Sequence, residues 1–404
     1  MGSNISSRWL IVAVGFVILS LVFTIRSTIG LIIPIWSEEF GWSRSLISTA
    51  ASLCLIMMAC VAPFAGSAVD RYGPRGFLVG GLIALGIGTF LLANMQNEWM
   101  LYIAFSLISG LGFGIVATHV IVAAVSPQFE ANKGFAVGIA TSGSTAGQLL
   151  FIPLIAVFLV SLGWRNTYLI FTVICFAAAL LCWKILAVPK PDNATAINAP
   201  KAKSTFMQDV KYLVKKPVFH AVFWSFVICG FTTAGVIETH LIPYLVSCGY
   251  PPLESALSYG FLSGFNMLGM MLAGYLSDKM NKVLLLCIIY VMRGLSFIVL
   301  MFVVDDYAAL AIFSVAFGLF DYSTVPVTAG IIVDHLGQKL LGITMGILAA
   351  GHALGAAAGA YYGGYLFDLF ARYEEMWIAS IILAIIAGFI VFTIRFMRPE
   401  PRLA

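Results

Sequence analysis

Seven ionisable residues stand inside otherwise apolar stretches of this chain: Arg26, His119, Glu238, His240, Arg293, Asp321 and His352. A charge at the centre of a bilayer costs about 2.5–3.5 kcal/mol on insertion scales, so the four charged members need partners or a wet cavity. With a helical rise of about 1.5 Å per residue, Arg293 lies about 16 Å from Lys282, and Asp321 about 20 Å from Asp334. Both therefore reach a similar depth on successive antiparallel segments, and an Arg293–Asp321 ion pair is expected. One reading makes that pair structural or conformation-sensing; the other brings Arg293 into contact with substrate.

Arg26 has no acid in its own segment, only Thr24, Ser27 and Thr28 nearby. A planar guanidinium can bond both oxygens of a carboxylate, so Arg26 is read as an anion contact. The rival reading is a salt bridge to Glu238. The two combine if Glu238 partners Arg26 in the empty site and a substrate or proton breaks the pair.

The neutral and weakly basic candidates follow. His352 stands after Gly351, about 20 Å from Lys339, and suggests a cavity wall with ligand or proton contact. His119, after Thr118, is either a substrate contact or a packed ring. His240, close to Pro243, is expected to bond backbone at a helix break. Gln148, Asn266 and Tyr322 can orient a substrate. The seven cysteines lack metal or redox spacing and read as packed apolar thiols. No nucleophile–base pair, metal-ligand set or nucleotide loop is present in the sequence, so neither an enzyme, a cofactor nor a metal is expected.

What must position these groups is membrane-spanning helix. The chain is 61% hydrophobic and 10% charged, against about 25% charged in soluble domains. Twelve apolar runs approach the roughly 20 residues a span needs: 9–35, 45–69, 76–94, 99–125, 134–160, 166–188, 218–247, 255–277, 283–303, 308–333, 340–367 and 376–396. The runs are continuous rather than alternating, which favours helices over a barrel. The first is too long for a cleavable signal and reads as a retained span. With the N-terminus inside, 17 basic residues fall on the cytoplasmic side and only Arg44, Arg165 and Arg372 opposite. That bias places both termini in the cytoplasm of a multi-pass plasma (bacterial inner) membrane protein. It also accounts for the net charge of +4 without nucleic acid.

The chain repeats itself at an offset of 208 residues. Gly41 maps to Gly249, Gly66 and Asp70 to Gly274 and Asp278, and Gly110 to Gly318. The ladder Gly134, Gly138, Gly143, Gly147 maps to Gly342, Gly346, Gly351, Gly355. Two parallel copies give an N-terminal six-helix bundle (1–188), a polar cytoplasmic linker (189–217) and a C-terminal six-helix bundle (218–404). Within the linker, 206–214 reads as a short amphipathic helix on the bilayer surface.

Between spans 2 and 3 stands Gly66-Ser-Ala-Val-Asp70-Arg71-Tyr-Gly73-Pro-Arg75, and between spans 8 and 9 its degenerate copy Gly274-Tyr-Leu-Ser-Asp278-Lys279. This resembles the loop motif of the major facilitator superfamily, at the matching place in both halves. The resemblance implies an all-α membrane fold of twelve helices in two pseudo-symmetric bundles. It also implies a gating role for Asp70, Arg71, Arg75, Asp278 and Lys279, and a peripheral span 9 beside a pathway-lining span 10. Glu38-Glu39-Phe40-Gly41-Trp42-Ser43-Arg44 and Gly134-Phe-Ala-Val-Gly138 resemble segments of the bacterial branch of the monocarboxylate porter family. Two departures stand out. Val14-Gly15 lacks the acid of the Asp-Gly element in animal members, and Asn266 and Met270 stand where well-studied members carry Asp and Arg in span 8.

The resemblance and the charges together imply a monomeric secondary transporter of a small organic anion, a monocarboxylate, with protons as coupling ion. Arg26 supplies the positive charge, His352 and His119 hydrogen bonds, and Glu238 or Asp321 the coupling proton. A proton-coupled exporter of amphiphiles or drugs is the alternative, although no Gly-Pro pair marks span 5. A transport-inactive sensor would usually carry a large soluble module, and both tails here are short.

Overall fold

The computed structural model describes residues 5–125, 128 and 129, 133–186, 206–304, 306–337 and 340–397. The side chains of Asp70, Arg71 and His119, and most of the linker, lie outside what is described. The membrane helices are α1 (Ile5–Phe40), α2 (Arg44–Tyr72), α3 (Pro74–Ala93) and α4 (Glu98–Val122). One apolar stretch, Lys133–Ile185, breaks at Gly163 (φ 78°, ψ 162°) into α5 (133–162) and α6 (164–185). They are followed by α7 (Pro217–Ser247), α8 (Pro252–Ser277), α9 (Lys282–Leu300), α10 (Tyr307–Leu336), α11 (Leu341–Phe370) and α12 (Glu374–Phe396). Among the described residues, eleven apolar helical stretches are thus long enough to cross a membrane, counting Lys133–Ile185 as one. The expected fifth and sixth spans share one of them because a single glycine turns the chain without a loop. The linker helix forms over Phe206–Leu213.

The glycine ladders set the helix spacing. A Cβ on Gly147 of α5 would stand 2.5 Å from the Ser20 carbonyl oxygen of α1, and one on Gly143 2.2 Å from that of Phe16. In the second half, a Cβ on Gly355 of α11 would lie 1.9 Å from the Val227 oxygen of α7. Apolar side chains gain little by leaving lipid for one another, so close backbone contact is what holds such crossings. Hydroxyls add to it: Ser20 donates to the Gly143 carbonyl at 2.8 Å, and Thr24 to that of Gly147 at 3.3 Å. The same crossing, α1 on α5 and α7 on α11, is therefore built twice by the repeated glycines.

Turns repeat as well. Gly41 (φ 68°) and its mate Gly249 (φ 92°) both take the left-handed conformation. Gly163 pairs with Ala371, which holds φ 56° at the end of α11 despite its Cβ. Alanine there pays a left-handed penalty that glycine avoids, so Ala371→Gly should raise stability by about 1 kcal/mol in thermal unfolding.

The two bundles touch on one half of the membrane thickness and part on the other. Near the face carrying Arg44 and Asp368, a Cβ on Gly364 of α11 would meet Ser48 of α2 at 2.5 Å. One on Gly260 of α8 would meet the Leu149 oxygen of α5 at 2.9 Å, and one on Gly30 of α1 the Glu238 oxygen of α7 at 3.2 Å. Toward the basic face, a Cβ on Gly138 of α5 or on Gly342 and Gly346 of α11 would have nothing within 4 Å among the described residues.

Several helices are irregular at mid-depth. α4 breaks at Val116 (φ −88°, ψ 57°), and α10 between Asp321 and Thr324. π-Helical turns occupy Tyr102–Ser109 in α4 and Phe231–Ile237 in α7, the latter ending immediately before Glu238. Interrupted and under-wound turns of this kind are tolerated in lipid where they line a cavity or are buried in protein, and they mark functional sites.

Candidate functional site

Glu238 is placed by the end of the π-turn in α7, opposite Gly30 of α1. The glycine lets the two helix backbones close in, and Arg26, one helical turn away, reaches across the bundle interface. Its Nη2 lies 2.5 Å from Glu238 Oε2, with the two side chains only 16% and 10% exposed. The other carboxylate oxygen accepts a bond from the Tyr322 hydroxyl at 2.9 Å. Tyr322 itself sits at the break in α10, which frees it to point away from the helix axis toward α7. Glu238 thus holds both oxygens against donors from two other helices, and one of those donors belongs to the opposite bundle. The salt bridge to Glu238, the rival to the anion-contact reading of Arg26, is formed.

Behind Arg26 runs a hydroxyl chain. Gln148 of α5, fully buried, donates to Ser27 Oγ at 3.0 Å, and Ser27 lies 3.4 Å from the hydroxyl of Tyr259 in α8. This chain also crosses between bundles. Tyr259 was not picked out from the sequence; a tyrosine buried mid-span beside Ser255 and Ser263 was the available signal.

Two cavities meet at Arg26. A small one of about 20 Å³ is enclosed by Arg26, Ser27, Cys54, Phe105, Glu238 and Thr239, among others. A larger one of about 200 Å³ lies toward the basic face. Its walls come from Val22, Phe23, Arg26, Met58, Phe113 and Thr118 of the first bundle, with Ala349 and Ala353 of α11 opposite. The Arg26 guanidinium stands 4.7 Å from the centre of the Phe23 ring, a cation–π contact that covers one of its faces.

Arg293 and Asp321 form a second, deeper cluster. Arg293 is fully buried, its Nη1 lies 3.9 Å from Asp321 Oδ1, and it donates to Cys229 Sγ at 3.0 Å. Asn266 donates to the other Asp321 oxygen at 3.3 Å. Arg293 Nε and Nη2, Asp321 Oδ1 and Asn266 Oδ1 lack a hydrogen-bond partner among the described residues. The expected ion pair is present but loose. Cys229 corrects the reading of every cysteine as a packed apolar thiol, because its sulfur accepts from a guanidinium. Asn266 serves this cluster rather than either cavity.

The remaining candidates separate. The His352 imidazole is 3.2 Å from Thr233 Oγ1 and packs against Phe226, so it faces α7 while its neighbours Ala349 and Ala353 line the cavity. His240 bonds a backbone oxygen as expected, that of Ala360 in α11 at 2.8 Å. Arg75 lies 4.0 Å over the Trp183 ring and donates to the Trp183 carbonyl, bracing α3 against α6. Asp278 and Lys279 are exposed, and Lys279, just past the end of α8, bonds Tyr275 in its last turn.

The face where the bundles touch carries a lock that sequence reading missed. Asp368 of α11 accepts from the backbone N–H of Arg44 (3.0 Å) and Ser45 (2.7 Å), capping α2 from the other bundle. An anionic cap on free N–H groups at a helix start is favoured by the helix dipole. The Arg44 guanidinium lies 3.6 Å over Phe367 and donates to the Tyr373 hydroxyl at 2.8 Å. Burial pushes the Tyr373 phenol up to about 12, Arg44 opposing the shift, so the group is an uncharged hydroxyl near neutrality. Nothing near Asp368 in the sequence marks it, because its partner Arg44 is 324 residues away.

Comparison with known proteins places this geometry. A model of the Major Facilitator Superfamily matches residues 15–304 and 265–404. The uncharacterized MFS-type transporter YcxA of Bacillus subtilis (strain 168) is 26% identical over 369 residues, covering 90% of this chain and 89% of that protein. Monocarboxylate transporter 13 of Rattus norvegicus is 23% identical over 375 residues, covering 92% and 85%. Among solved structures, a bacterial homolog of the human lysosomal transporter Spinster, inward-facing and unoccupied, aligns with TM-score 0.77 at 16% identity over 96% of this chain and 97% of that one. A D-xylose-proton symporter aligns with TM-score 0.74 at 16% identity over 99% of each chain.

Proposed function

This chain belongs to the Major Facilitator Superfamily, and from that premise we propose that it carries a small organic anion of the monocarboxylate class by alternating access. The observation that carries this reading is the Arg26–Glu238 pair, which joins the two bundles at the wall of a cavity. The relatives include monocarboxylate transporters, which supports the cargo class.

The chemistry follows from charge balance. In the empty site Arg26 and Glu238 neutralise each other. A carboxylate arriving at Arg26 competes with Glu238 and leaves one negative charge uncompensated in a low-dielectric wall. A proton on Glu238 removes that charge, so the favourable loaded state holds one anion and one proton. Tyr322 bonds Glu238 and steadies it through the exchange. Asp321 is the second candidate for the coupling proton, and Gln148 with Ser27 positions Arg26. His352, through its bond to Thr233, ties α11 to the π-turn that carries Glu238. Its role is to transmit, and His119 remains a candidate contact on α4.

In the proposed topology the basic face is cytoplasmic, with both termini on the cytoplasmic side of a bacterial inner membrane. The Asp368 lock then closes the outer side and the cavity opens inward. Bundles 1–188 and 218–404 rock about the central site as a monomer, joined by linker 189–217. Asp70, Arg71, Arg75, Asp278 and Lys279 act as the inner gate in the opposite state, which accounts for the exposure of Asp278 and Lys279 here. The apolar walls of the cavity favour one rival, proton-coupled export of amphiphiles.

Arg26→Gln should reduce anion uptake into proteoliposomes roughly tenfold to a hundredfold, the loss of a charge-assisted interaction of about 1.5–3 kcal/mol. Unchanged affinity would remove Arg26 from the binding role. In a thermal-shift screen, stabilisation by carboxylates supports the anion reading, whereas stabilisation by lipophilic cations alone supports the exporter.

A further inference from the structure

The larger cavity is chemically one-sided. Among the described residues that line it, Arg26 alone is charged and Thr118 alone bears a hydroxyl; the rest are aliphatic, aromatic or thioether side chains, with glycine and alanine. The repeat sharpens the contrast. Phe113 and Met58 on this wall stand at the positions that the second half fills with Asp321 and Asn266. The first bundle has apolar groups where the second places its buried polar cluster. A substrate whose carboxylate meets Arg26 would therefore have its head beside Glu238 and its remaining atoms against Phe23, Met58 and Phe113. Hydroxyls on that body would lose water and find almost no partner, which costs free energy for each one buried. Methylenes or a ring would instead exchange water for a dry wall.

Resting on the anion-binding reading of Arg26, we propose that the cargo is a monoanion with a compact apolar body, a branched aliphatic chain or a single aryl ring. Hydroxylated and multiply charged acids are excluded by the same wall. Phe23 is the specificity-determining neighbour, because it covers one face of the guanidinium and leaves an in-plane approach for the carboxylate.

The test is a binding series on the purified full-length protein by thermal shift and by competition in proteoliposome uptake. Propanoate, 4-methylpentanoate, 3-phenylpropanoate and gluconate are compared with the amides of the first three. Affinity should rise roughly fourfold for each methylene equivalent buried, so 3-phenylpropanoate should bind at least tenfold more tightly than propanoate, and gluconate more weakly than either. Each amide should bind at least tenfold more weakly than its acid, which also separates site binding from partition into detergent. Acids that all bind alike, or gluconate binding best, would overturn the apolar-body proposal and leave the role of Arg26 intact. Amides binding as well as acids would overturn the anion reading and this proposal with it. In Ala353→Phe, which narrows the cavity from α11, 3-phenylpropanoate should lose at least tenfold more affinity than propanoate. Equal losses would count against the placement of the body.

Discussion

Glu238→Gln alone should destabilise the protein more than Glu238→Gln combined with Arg26→Gln. The single change leaves a guanidinium 16% exposed without its counter-charge, and breaking a largely buried pair from one side costs about 3–5 kcal/mol. Removing both charges returns much of that, since the favourable attraction and the desolvation of both groups vanish together. Thermal unfolding of the solubilised protein through the full double-mutant cycle measures the difference. A coupling near zero would mean that the pair contributes nothing across the bundle interface. Tyr322→Phe provides the internal scale, because it deletes one hydrogen bond to Glu238 and should cost about 1.5–3 kcal/mol.

The second large effect is expected at Arg293 and Asp321. Asp321→Asn strands a fully buried guanidinium that otherwise meets the sulfur of Cys229 and the Tyr290 ring, and Arg293→Gln strands the carboxylate. Each should cost about 3–5 kcal/mol and abolish transport. Charge reversal of both residues together should restore what either single reversal removes if the pair is structural. The neutral double variant separates the readings further. Recovery of folding and of uptake would assign a scaffold role. Recovery of folding without uptake would assign one of the two to coupling. The loose 3.9 Å separation and the orphaned Asp321 Oδ1 and Arg293 Nε set an upper limit on what the pair contributes in this state.

Membership of the superfamily was legible because the motif loops, the number of spans and the 208-residue repeat are all local or periodic signals. The same holds for the intramembrane charges, since a charge in an apolar run stands out without any knowledge of its neighbours. Depth alone was enough to anticipate Arg293 with Asp321, because rise per residue on antiparallel helices fixes the height of each group. Tyr259, Cys229 and Asp368 were not legible as site members. A hydroxyl, a thiol and a surface acid are ordinary in their own segments, and only their partners give them roles.

By itself, then, the sequence determined which segments enter the membrane, how the halves correspond and which charges must be neutralised, since transfer from water to lipid is set by composition over each roughly 20-residue run. Tertiary structure alone decided who neutralises whom. Glu238 faces Arg26 because Gly30 admits the α7 backbone, and Tyr322 joins them because α10 breaks beside it. It also decided which end is shut, through the Asp368 cap on α2. These contacts join residues 84, 212 and 324 positions apart. They depend on helix rotation and close backbone approach, which no single segment encodes.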